Sequence, residues 1–178
     1  MDVRVIRTAL FALVGSPFFA LWLVTDPGND ASQTQSEWTY VLWFSTALLA
    51  LALAVPMFGR LVGGRWVAGL SLLAGAGVAL CSLANVVEDG LQFGWALWGF
   101  IVGTAITYLG LFPLTVAVML TSRGGRRLLA LVPAATGAAI TFWVVAGGVI
   151  MLAAWLGAAT LAFALPTRIG AQTAAATP

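Results

Sequence analysis

Lysine and histidine are absent from this 178-residue sequence, and cysteine occurs once, at Cys81. Without histidine the chain lacks the commonest metal ligand and the usual general base near neutral pH. A single cysteine forms no internal disulfide, no Cys-x-x-Cys redox pair and no thiolate zinc site. Haem and iron–sulfur centres lose their usual ligands for the same reason. The sequence therefore calls for no metal and no cofactor, and it offers no catalytic residues.

Charge is also scarce. Only 8% of residues are charged, against about 25% in an ordinary soluble domain. So few charges cannot cover a water-facing surface, while the hydrophobic fraction reaches 61% and the mean hydropathy is +1.02. The solvent for most of this chain is expected to be the lipid bilayer. The net charge of +2 comes from eight arginines and six acidic residues. These arginines are scattered through short loops instead of gathered on one face, so nucleic acid is not an expected partner.

What is present is a series of long apolar runs. A span needs about 20 mainly apolar residues to cross about 30 Å of hydrocarbon. Five runs are clear enough to bound: residues 8–24, 38–58, 66–87 and 93–120, followed by the uncharged stretch 128–165. The first, preceded by Arg4 and Arg7, resembles a signal peptide. Its bulk (Phe18, Phe19, Leu21, Trp22) and the lack of a small-x-small site after it favour a retained helix. Pro113 gives the long fourth run a place to kink. The 38 residues of 128–165 would make a helix about 57 Å long at 1.5 Å per residue. Two spans, 128–145 and 148–165, joined by a turn near Ala146, Gly147 and Gly148, fit a bilayer better. The expected fold is an all-α polytopic transmembrane helical bundle of six spans in one domain, residues 1–170, with a disordered tail at 171–178. Five spans, with 128–136 lying at the interface, is the alternative.

Loop charge supports six. In that arrangement Arg4, Arg7, Arg60, Arg65, Arg123, Arg126, Arg127 and Arg168 all face one side, and Asp26, Asp30, Glu37, Glu88 and Asp89 the other. Arginine bias sets orientation, so both termini are expected in the cytoplasm of a cell-membrane protein. Five spans would put Arg168 outside.

One polar cluster stands out: Asn85, Glu88 and Asp89, with Cys81 a turn earlier. On a continuous α-helix these share a face by the i, i+4, i+7, i+8 rule. Two carboxylates and an amide there suit a cation or a proton, each carboxylate raising the other's proton affinity. The plainer reading is that Glu88 and Asp89 end the third helix at the interface, with Gly90 as its last residue. An acid at mid-membrane costs about 2.5–3.5 kcal/mol; Glu88, roughly 33 Å along the helix from Trp66, escapes most of that.

Tryptophan is abundant. Trp22, Trp38, Trp43, Trp95, Trp98 and Trp143 fall toward the acidic side, as an aromatic belt would. The sharper alternative is a vestibule in which Trp38, Trp95 and Trp98 join Glu37, Glu88 and Asp89 around an organic cation. Small-residue pairs (Gly99/Gly103, Ala134/Ala138, Ala153/Gly157), with Gly75, Ala76 and Gly77, mark close helix packing within the bundle, with other membrane proteins or with a second copy. Two functions follow. The first is a non-catalytic bundle acting as accessory subunit or binding protein. The second is a small transporter or permeation protein for a cation or proton at Asn85, Glu88 and Asp89.

Overall fold

In lipid, backbone polar groups have no water to bond, so a chain this apolar satisfies them within helices. The computed structural model describes residues 3–24, 37–141 and 145–164, and 95% of them are helical, with no strand among them. The helices are α1 (Val3–Val24), α2 (Glu37–Val62), α3 (Arg65–Asn85), α4 (Leu97–Thr121), α5 (Leu131–Thr141) and α6 (Val145–Ala164). A π-helical turn, Val86–Gly90, extends α3, and 3-10 turns at Gly94–Ala96 and Gly124–Ala130 precede α4 and α5. Among the described residues three stretches are long and apolar enough to cross a membrane: Val41–Val62, Arg65–Gly90 and Gly94–Thr121. The expected tail at 171–178, the loop acids Asp26 and Asp30, Trp143 and Arg168 lie outside the described residues.

Each helix packs on its neighbours in the chain, and α6 closes the ring against α1. Facing residues fix the directions. Gly59 meets Ser71 and Gly75 meets Pro56, so α2 and α3 run antiparallel. Ala74 lies at Gly110, Gly77 at Gly103 and Thr107, and Ala84 at Gly99, so α3 and α4 do the same. Gly15 faces Leu152, and the Phe11 and Trp155 rings meet at 5.5 Å, which reverses α6 against α1. All described arginines thus lie toward one end of the bundle, and Glu37, Glu88 and Asp89 at the other.

Between helices in lipid no hydrophobic driving force operates, and close packing takes its place. The α3–α4 seam shows this most clearly. A Cβ on Gly110 would lie 2.5 Å from the Ala74 nitrogen, and one on Gly77 2.6 Å from the Gly103 carbonyl oxygen. Glycine is needed wherever backbones come this near. Gly75 leaves room for the Pro56 ring and the Ala52 carbonyl, the very acceptor that Pro56, lacking an N–H, leaves unbonded. At the centre, Trp155 is buried between Phe11 and Phe58, and its indole N–H donates to Thr136 Oγ1 at 3.0 Å.

Three expectations need correcting. Helix α2 continues past residue 58 through Gly59 and Arg60 to Val62, because Gly59 packs on Ser71 and a basic residue suits a helix C-terminus. Gly147 and Gly148 form no turn; both lie in α6, and Gly148 is buried. A helical glycine costs about 1 kcal/mol, less than an unbonded backbone group in hydrocarbon. The expected span 128–145 begins as a 3-10 turn and becomes α-helix only at Leu131. Thr141, near its end, bonds Tyr108 at 2.8 Å, eleven residues into α4. The described part of α5 therefore ends about 16 Å short of the start of α4.

Candidate functional site

The acidic end is built on the junction of α3 with the π turn. Asn85, the last residue of α3, is 3% exposed. Its amide Nδ2 donates to Ser45 Oγ at 3.1 Å. Ser45 Oγ donates to the Ser82 carbonyl at 3.4 Å, and Ser82 Oγ returns the bond to the Ser45 carbonyl at 2.8 Å. Two serines thus exchange bonds across α2 and α3, and Asn85 caps the exchange. The Asn85 Oδ1 accepts no hydrogen bond among the described residues. Sequence reasoning singled out Asn85 but missed Ser45 and Ser82; the only signal was Ser82 one turn before Asn85, on the face that meets α2.

Beyond Asn85 the helix widens. Leu91 N–H bonds the Val86 carbonyl at 3.0 Å, five residues back, and Phe93 N–H bonds Val87 at 3.1 Å, six back. The extra residue in this turn ends the α-helical face running from Cys81. Cys81 faces α4, with Sγ 3.5 Å from the Phe100 carbonyl and 3.6 Å from Thr104 Oγ1, whereas Asn85 faces α2. Glu88 is half-buried and Asp89 exposed. The left-handed residue that closes the turn is Gln92 (φ 61°), not Gly90, and its Nε2 donates to the Asp89 carbonyl at 2.6 Å.

Gly90 instead lies beneath Trp38, whose ring would be 2.9 Å from a Cβ there. Trp38 thereby reaches the acidic turn. Trp95 and Trp98 are 70% exposed, and the ring pairs resolved in the bundle (Phe11–Trp155, Phe44–Phe100, Phe58–Trp155, Tyr108–Phe112) do not join them to Trp38.

Between α2, α3, α4 and α5 a cavity of about 30 Å³ is lined by Phe44, Leu48, Val78, Cys81, Phe100 and Thr104, among others. That is room for about one water, and no more. Most hydroxyls in the spans are turned to their own helices: Thr107 to the Gly103 carbonyl, Thr115 to Leu111 and Thr136 to Val132. Among the described residues no three His, Cys, Asp or Glu side chains converge on a metal position. The acidic end can bond or exchange a cation through Glu88 and Asp89, and it can pack helices through Asn85. Comparison with protein-family models, with curated proteins and with solved structures finds no match to this chain.

Proposed function

We propose that this chain is a six-span protein of the cell membrane with cytoplasmic termini, acting as a non-catalytic accessory or binding subunit. One observation carries the association. Of the small-residue pairs, Gly99/Gly103 is consumed in the α3–α4 seam, with Ala84 at Gly99 and Cys81 at Gly103. Ala153 and Gly157 are both exposed on α6, and a Cβ at Gly157 would meet nothing within 4 Å. That face admits the close backbone approach of a helix from another membrane protein or a second copy. Gly157→Leu should release the companion from complexes purified in native lipid particles, read by mass spectrometry. Recovery of the wild-type chain as a lone monomer would sink the reading.

Orientation has separate support. The antiparallel order returns α6 to the arginine end where α1 begins, and arginine bias marks that end as cytoplasmic. A cation or proton path through Asn85, Glu88 and Asp89 is the second reading, favoured by the Asn85 Oδ1, which accepts no bond among the described residues, and by the π turn, a feature frequent at functional sites. Glu88→Gln with Asp89→Asn should abolish uptake in a vesicle-flux assay; unchanged flux would dismiss that path.

A further inference from the structure

Among the described residues the arginine end carries charge without countercharge. Arg60, Arg65, Arg123, Arg126 and Arg127 are exposed and Arg7 is partly so, and none of them meets a carboxylate among the described residues. The described acids all lie at the opposite end, and only Asp2, outside the described residues, neighbours this one in sequence. Arg127 donates through Nε to the Ser122 carbonyl at 3.3 Å, which folds the Gly124–Ala130 turn back on the end of α4.

The α3–α4 register puts these groups at similar depth. Ala74 lies level with Gly110, so Arg65 and Trp66, two to two and a half turns earlier, lie level with the last turn of α4, with Arg123 about one turn beyond that level. Apolar surface adjoins the arginines: Trp66 is 80% exposed, Leu120 79% and Leu128 63%. Planar guanidinium groups bind phosphate oxygens in pairs, and exposed aliphatic and indole surface beside them suits acyl chains and the headgroup boundary.

We infer that the arginine end of α3 and α4, with Arg65 and Trp66 on one helix and Arg123 and Arg126 just beyond the other, binds an anionic phospholipid, its phosphodiester on the arginines and its chains along Trp66 and Leu120. The inference rests on the membrane-spanning reading, and charge complementarity carries it. An anionic lipid supplies the missing countercharge where a zwitterionic one supplies none. Basic groups near a membrane surface each strengthen such binding roughly fivefold.

The test uses the full chain, first reconstituted in phosphatidylcholine nanodiscs. Failure to incorporate would refute the membrane reading itself and is seen before any lipid is compared. Phosphatidylglycerol is then added in increasing proportion, and bound lipid is counted by native mass spectrometry alongside the melting temperature. The wild type should retain phosphatidylglycerol over phosphatidylcholine and melt higher with it. Arg65→Gln, Arg123→Gln and Arg126→Gln should each weaken retention roughly fivefold, while Glu88→Gln at the far end leaves it unchanged. Equal retention of the two lipids by the wild type overturns the site. So does a phosphatidylglycerol preference that survives all three single substitutions.

Discussion

Gly110 shows how little separates a tolerated from a ruinous substitution in this chain. Its missing Cβ would lie within 2.7 Å of three Ala74 atoms, none of them the far end of a flexible side chain. Gly110→Val should lower stability by about 1–3 kcal/mol, the usual cost of overpacking, read as a drop in melting temperature in detergent. Gly69, equally helical, has open space around its Cβ position, and Gly69→Ala should raise stability by about 0.5–1 kcal/mol. Nothing in the sequence distinguishes these two glycines, because the difference lies in the facing helix. Asn85 is a similar case. Its side-chain bond to Ser45 is buried, yet interhelical hydrogen bonds in membranes average only about 0.6 kcal/mol. A double-mutant cycle of Ser45→Ala and Asn85→Ala should return a coupling of that size, and a value near zero would show that the bond contributes nothing.

At the scale of elements, α2, α3 and α4 were legible because charges and turn residues punctuate them. Arg60 to Arg65 and Glu88 to Gly90 bound α3 almost to the residue. The π turn was not legible. Its extra residue leaves no compositional mark, so the expected face through Cys81, Asn85, Glu88 and Asp89 was drawn for a regular helix that stops at Asn85. The uncharged stretch from 128 misled in a different way. Gly147 and Gly148 read as a turn where water is the solvent, but in hydrocarbon the helix keeps its hydrogen bonds through them. Gln92 closes the π turn in a left-handed conformation that a β-branched residue resists. Gln92→Val should therefore destabilise by about 1–2 kcal/mol, and Gln92→Gly should stay close to wild type in the same melting assay.

For the whole molecule, the separation of charge along the bundle decides orientation. A reporter fused after the last residue should read cytoplasmic, as should one inserted at Gly63, and one placed at residue 30 should read the opposite side. A C-terminal reporter on the outer side would require an odd number of crossings and end the six-span reading. The acids and arginines made this separation visible in the sequence, whereas the ring closure of α6 on α1 depends on Gly15, Phe11 and Trp155 meeting at long range, which local pattern cannot reveal.

Trp155 also gives the protein a built-in optical reporter. Of the tryptophans whose side chains are described, it alone is buried, at 1% exposure, while Trp38, Trp43, Trp66, Trp95 and Trp98 are 49–80% exposed. In a chain carrying Trp22→Phe and Trp143→Phe, brominated lipid tails and headgroup-level quenchers should therefore extinguish the emission of those five and leave a residual signal from Trp155. Any event that parts α6 from α1 would make that last component quenchable, so the opening of the bundle can be followed by light without attaching a label.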